Sequence, residues 1–185
     1  MAPLPGLGPA LRAIRKAQGL SLSQAGEQTG LSKSFLSLVE QGRSDITLGR
    51  LMRLVKFYGV GLADLIPEHA DGADGVVVRA DQRRQIALPA EGLELTLLTP
   101  DPKRTMMPVW SSFAPGGHTE SHVVHEGEEF VWVLEGRLAL DLDGSEPITL
   151  DEGDCAYFDA SRAHRYRNVA EATTKAFAVI SPPTL

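Results

Sequence analysis

The sequence has one cysteine, Cys155, so no disulfide within the chain can brace it. A lone thiol suits a reducing compartment, and the expected location is the cytosol. No stretch approaches the roughly 18–20 consecutive apolar residues that a membrane-spanning helix needs, so no membrane partner is expected. The opening residues, MAPLPGLGPALRAIRK, lack the charged-then-apolar order of a secretory signal. Low-complexity tracts and internal repeats are missing too. With 43% apolar and 23% charged residues, collagen-like structure and wholesale disorder are excluded.

What remains is a chain of 185 residues, enough for one medium domain or two small ones, each with its own core. Its net charge of −6 is unevenly spread. Through residue 66 there are 8 Lys and Arg against 4 Asp and Glu, a net +4. The rest holds 10 basic against 20 acidic residues, a net −10. A basic head on an acidic body fits a protein whose head alone meets a polyanion, although chance clustering gives the same count.

The hydrophobic period divides the chain at the same place. Leu11, Ile14 and Ala17 recur at helical spacing between Pro9 and Gln18. Ser21 opens SLSQAGEQT, which stops at Gly30. Ser32 is a good N-cap for KSFLSLVEQ, with Phe35, Leu36 and Val39 on one face. Thr47 is placed to cap LGRLMRLVKFY, and a last turn spans Leu62 to Ile66. The spacing therefore predicts five short helices. PEHADGADG (67–75) then reads as a linker. Beyond it VVVRA, RQIAL, LELTLLT, VWSSF, EFVWVL, RLALDLD, PITL, CAYFDA, HRYRN and KAFAVI are short β-rich runs. Their spacing argues a sandwich or barrel. The fold class is thus α + β in two domains, an all-α head followed by an all-β barrel.

Two helices joined by a tight glycine-containing turn, the second opening with small polar residues, suit reading of a DNA major groove. The first turn of that helix carries Ser32, Lys33 and Ser34, with Ser37 one turn on; Arg43 and Ser44 follow where the phosphate backbone would pass. Leu11, Arg15, Gly19, Leu20, Gly30, Leu31, Ser32, Phe35, Ser37, Glu40, Gly42, Leu48, Leu51 and Leu65 make this segment resemble the helix-turn-helix domain of the Xre/λ-repressor type. That family usually has Leu-Ala where Ala25-Gly26 stands, a departure expected to lighten the second helix and lower its stability. The resemblance implies a DNA-binding domain over residues 1–67, a linker over 68–75, and double-stranded operator DNA as partner.

Four of the five histidines, His118, His122, His125 and His164, fall between 118 and 164. His125 and Glu129 are four apart, and His164 lies in a later strand. Converging in a barrel, the three would make a two-histidine, one-carboxylate face for Fe(II), Mn(II), Ni(II) or Zn(II). By spacing alone Glu129 reads equally well as a solvated strand end. Gly117, His125, Glu129 and Gly136, then Gly153, His164 and Asn168, fall on the two signatures of the cupin superfamily, so residues 76–185 resemble a cupin jelly roll. Val123 stands where that pattern has its first histidine, which removes one of four usual ligands; Asp159 and Ser161 replace a proline and a glycine. The resemblance implies one divalent ion on His125, Glu129 and His164. Strand alternation puts Val131, Val133 and Tyr166 inside and Phe130, Trp132, Leu134, Arg165 and Arg167 on the other face. His122, Tyr166, Trp110 and Ser112 are the expected lining of an effector pocket. Cys155 reads as a small core residue.

A DNA-reading head on a cupin body resembles the Xre–cupin transcription regulators of bacteria, which bind operators as homodimers and sense a small molecule in the barrel. The resemblance implies a regulator and not an enzyme. A mononuclear iron epoxidase of phosphonate antibiotic synthesis has the same domain order and also uses His, Glu and His, and is the alternative.

Overall fold

The computed structural model describes residues 6–65, 77–99 and 104–183, so the whole segment read as a linker lies outside the described residues. The head contains α1 (Leu7–Ala17), α2 (Leu22–Thr29), α3 (Lys33–Glu40) and α4 (Leu48–Tyr58), followed by a 3₁₀ turn at Leu62–Leu65. These match the five predicted segments. Ser21 forms a capping box with Gln24, and Ser32 accepts from the amide of Phe35. Leu11, Leu36, Val39, Leu51, Leu54 and Val55 are buried in the head core.

Three details depart from the sequence reading. On α1 the inward place falls to Arg15 and not to Ala17, which is exposed. Arg15 grips Glu40 of α3 through two nitrogens, at 2.6 and 2.8 Å, and a third donates to the carbonyl of Leu20 at 2.6 Å. Gly26 stands where a side chain has no room. A Cβ there would stand 2.5 Å from the carbonyl oxygen of Leu31, so α2 meets the turn into α3 only because the position is glycine. Thr47 precedes α4, but its side chain makes no cap bond and its hydroxyl oxygen is buried without a partner.

The body holds β1 (Arg84–Leu88), β2 (Leu93–Leu97), β3 (Met107–Phe113), β4 (Glu128–Glu135), β5 (Leu138–Leu142), β6 (Ile148–Leu150), β7 (Cys155–Asp159), β8 (His164–Asn168) and β9 (Thr174–Ser181). VVVRA is not among them. Its described residues Val77, Val78 and Arg79 are irregular, and a 3₁₀ turn over Ala80–Gln82 follows. The strands form a six-stranded antiparallel sheet ordered β1-β2-β3-β9-β4-β7 and a three-stranded sheet ordered β6-β5-β8. This is the jelly-roll body that the cupin resemblance implies, and a two-sheet arrangement of the kind the patterning predicts. Gly136 turns the chain from β4 into β5 at φ 86°, with Thr174 so near that a Cβ would stand 2.5 Å from its hydroxyl. Asn168 ties the same region together. Its amide nitrogen donates to the carbonyls of Phe113, Ala114 and Ala172, and its oxygen accepts from Ala170 and Thr174.

Val131 and Val133 are buried, as strand alternation requires. The opposite face of the large sheet is apolar in register. Trp110, Phe177, Trp132 and Cys155 form one row across β3, β9, β4 and β7, and Pro108, Val179, Phe130 and Tyr157 form the next. Trp132 and Tyr157 remain 44% and 64% exposed. Cys155 is exposed on this face and not a core residue, because β7 is the outermost strand and its odd positions point away from the interior.

Candidate functional site

The barrel interior holds a cavity of about 60 Å³, several times the roughly 10–15 Å³ that one water needs. Most of its wall is apolar, and a polar cluster occupies one region. His125 comes from the segment preceding β4, Glu129 from β4, and His164 and Tyr166 from alternate positions of β8, all facing inward. The first three are buried, and their ligating atoms lie within 4.8 Å of one another. Nε2 of His125 stands 3.1 Å from Oε2 of Glu129, and Nε2 of His164 stands 3.3 Å from the same oxygen. Ligands at about 2.1 Å and right angles around a metal are separated by about 3 Å, so these two separations are compatible with a divalent ion.

The surrounding groups fix this orientation. Nδ1 of His125 lies 3.2 Å from the carbonyl of Glu126, and Nδ1 of His164 lies 2.9 Å from the carbonyl of Arg162. Both rings therefore turn Nε2 to the cavity, the arrangement in which an outer partner holds a ligating histidine. Tyr166 donates its hydroxyl to Oε1 of Glu129 at 2.7 Å. Burial by itself would push the Glu129 carboxyl up, but hydrogen bonds from His125, His164 and Tyr166 outweigh it and hold it down to about 2. Burial works against charge on His164 as well, yet its bond to Glu129 leaves that imidazole raised above its ordinary range. Tyr166 is pushed well up by burial and by the neighbouring carboxylate, so it stays a neutral donor.

The other expected residues lie elsewhere. Val123 itself lines the cavity, and its backbone pairs with that of His164, so an apolar side chain fills the fourth ligand's place. His122 is directed away from the cavity. Its Nε2 lies 3.1 Å from Asp141, which also accepts from Arg165 at 2.9 Å on the outside of the small sheet. Trp110 and Ser112 do not line the cavity either. Alternation along β3 sends Val109, Ser111 and Phe113 inward and leaves those two on the outer apolar face. Of the four expected effector contacts, only Tyr166 lines the cavity.

On the head, Ser32, Lys33 and Ser34 are exposed at the start of α3, and Ser37 is half-buried. Ser32 accepts from the amide of Phe35 at 3.2 Å and lies 3.1 Å from the Ser34 hydroxyl. Arg43 is exposed and Ser44 half-buried just beyond the helix. Gln41, which the sequence reading passed over, donates to Ser37 at 2.8 Å and accepts from Arg43 at 3.5 Å. It therefore joins the two ends of the exposed polar surface.

Glu91 was also missed. It lies in a 3₁₀ turn between β1 and β2 and is 2% exposed. One oxygen accepts the amide of Leu48, the first residue of α4, at 2.6 Å, and the other accepts the amide of Glu120 at 2.5 Å. Burial pushes its carboxyl up, while these two amides pull it back part of the way. A Thr at the N-cap position drew attention to itself in the sequence; the carboxylate that actually caps α4 comes from 43 residues away and left no local signal.

Comparison with known proteins adds to this geometry. The helix-turn-helix family matches residues 11–65 and the cupin domain family matches residues 109–180. The HTH-type transcriptional regulator PuuR of Escherichia coli is 29% identical over 180 residues, which is 96% of this chain and 95% of that protein. The HTH-type transcriptional regulator SutR of the same organism is 30% identical over 179 residues, again 96% of this chain and 95% of that protein. A crystal structure of a helix-turn-helix family transcriptional regulator from Vibrio cholerae superposes with a TM-score of 0.68 at 19% identity, covering 95% of this chain and 94% of that one.

Proposed function

The chain belongs to the HTH-type transcriptional regulators that carry a cupin domain, and we propose that it reads its operator as a homodimer while the barrel senses a small molecule at a divalent ion. The observation that carries this reading is the pairing, in one chain, of an exposed polar helix start with a buried three-donor cavity. Lys33, Ser34 and Ser32 would meet base edges, with Ser37 beside them; Arg43 and Ser44 would meet phosphates. His125, Glu129 and His164 would hold the ion. Two neutral imidazoles and one carboxylate leave a divalent ion with a net charge of +1 and open positions, which suits an effector with an anionic group. Tyr166 would orient the carboxylate and face the effector. The protein would act in the cytoplasm, where its operator is.

The regulator reading is favoured over the epoxidase reading of the same triad, because PuuR and SutR, which match this chain in sequence over 96% of its length, are regulators. The test joins a mobility-shift assay on the DNA upstream of the protein's own gene with metal analysis of the purified chain. A shift that Lys33→Ala abolishes, and an ion that His164→Ala loses, are expected. A wild-type chain that binds this DNA no better than unrelated DNA would overturn the operator reading.

A further inference from the structure

The barrel cavity is not closed by the barrel alone. Two side chains of the DNA-binding head complete its wall: Leu48, the first residue of α4, and Leu62, in the 3₁₀ turn that follows α4. Both are buried, 8% and 1% exposed. The head is fastened at the same place. The amide of Leu48 has no acceptor within its own helix, as for every first-turn amide, and Thr47 does not cap it. The Glu91 carboxylate of the body takes that role, and its second oxygen holds Glu120, next to Thr119 of the cavity wall. Arg50 of α4 stands 3.9 Å from the Glu120 carboxylate. A Cβ on Gly49 would stand 2.1 Å from the Ser121 hydroxyl, so the first turn of α4 is pressed onto this loop.

We propose that Leu48 and Leu62 are the lid of the effector cavity and Glu91 its latch, so that an effector with an apolar body too large for the closed cavity lifts the head from the barrel as it binds. This rests on the reading of the barrel as a sensing chamber and adds the ligand class and the route of the signal. A cavity of about 60 Å³ takes an ion with its water or a fragment of a few atoms. An apolar cavity that accepts benzene is about 150 Å³. A ligand with one polar end at His125, His164 and Tyr166 and an aromatic or branched aliphatic body therefore has no room with the lid closed. Its body must displace Leu48 or Leu62. Displacing Leu48 draws the first turn of α4 off Glu91, and α4 packs against α2 in the head. Effector binding and release of the DNA-reading head would then be one event.

The test measures amide exchange residue by residue in the full chain by NMR. Glu91→Met keeps an unbranched side chain of similar size and takes the acceptor away from both amides. Leu48 is expected to exchange at least about tenfold faster in this variant, together with Glu120, while Val131 and Ile180 in the barrel strands are unchanged. Unchanged exchange at Leu48, or equal acceleration throughout the barrel strands, would overturn the latch. In a second arm, Ser111→Cys on the cavity wall is combined with Cys155→Ser and converted to a methyl or a benzyl mixed disulfide. The methyl adduct should leave Leu48 protected and the benzyl adduct should expose it. A benzyl-filled cavity beneath a protected Leu48 would overturn the lid, and Glu91→Met decides the latch even where the buried thiol resists the larger reagent. Failure of the sensing reading looks different: the lid opens on benzyl occupancy while operator affinity stays the same.

Discussion

Tyr166 donates its hydroxyl to Oε1 of Glu129 at 2.7 Å, which leaves Oε2 as the oxygen that faces both imidazoles. Glu129 would then offer an ion one oxygen, Oε2. Removing the hydroxyl frees the carboxylate to rotate without removing a ligand. Tyr166→Phe should lower affinity for Zn(II) or Ni(II) about 10- to 100-fold, the usual cost of losing an outer partner. His164→Ala should abolish binding. Calorimetric titration of the three proteins checks the order, and equal affinity in wild type and Tyr166→Phe would show that the tyrosine does not position Glu129.

The same cluster sets the acid limit of the ion-free protein. Glu129 is held down to about 2 from an ordinary value of 4.5, so its contribution is fully present above 4.5 and is lost as the pH falls toward 2. His164 is raised above 6.5, so its contribution is full below 6.5 and drains as the pH rises through its folded value. Urea midpoints measured with a chelator present should therefore fall on the acid side between pH 4.5 and 2. Glu129→Gln should flatten that limb, whereas an unchanged limb would assign acid unfolding to other carboxylates.

Arg15 and Glu40 form a buried two-point ion pair between α1 and α3. Truncating either partner strands the other charge away from water. Arg15→Ala or Glu40→Ala should each cost about 3–5 kcal/mol, and Arg15→Met with Glu40→Leu should recover most of it. Thermal unfolding followed by helical circular dichroism reads the difference. Equal losses in single and double variants would mean the site has no room for apolar replacement.

How far the sequence was legible follows from which interactions are local. Helix starts at Ser21 and Ser32 are set by residues three positions apart, and both were readable. Alternation along β4 and β8 placed Glu129, Val131, Val133, His164 and Tyr166 inward, because a strand has only two faces. The effector lining failed where phase was not anchored. β3 had no signature residue to say which face was which, so Trp110 and Ser112 were put on the wrong one. Glu91 and Leu48 are 43 residues apart and belong to different domains, and no periodicity connects them. The close backbone approach at Gly26 is likewise invisible until its neighbour Leu31 is placed.

On the DNA-reading surface, Lys33 and Arg43 should fail differently. Lys33 lies in the first turn of α3 and would reach base edges, so Lys33→Ala should weaken the operator by about 1–3 kcal/mol and relax sequence preference. Arg43, beyond the helix, would meet a phosphate. Its loss should weaken all DNA about equally and reduce the salt slope by about one. Fluorescence anisotropy across a salt series separates the two. Normal operator binding by Lys33→Ala would remove α3 from the groove.

One head covers one half-site, and two half-sites in fixed spacing need a dimer. The outer face of the large sheet offers the surface for it. Its two registered rows, Trp110-Phe177-Trp132-Cys155 and Pro108-Val179-Phe130-Tyr157, include both tryptophans of the chain, and Trp132 and Tyr157 stay largely in water in the single chain. A second copy turned about a two-fold axis would cover both rows with the same rows of its own. Trp132→Glu puts a carboxylate in the middle of that contact and removes an aromatic anchor. The full chain should then sediment as a monomer at micromolar concentration, where the wild type is expected to sediment as a dimer. Its operator affinity should drop by the order of 10–100-fold, because the second half-site no longer comes tethered to the first. Trp132→Phe keeps an aromatic ring and should keep the dimer. A Trp132→Glu chain that still sediments as a dimer would move the interface off this sheet.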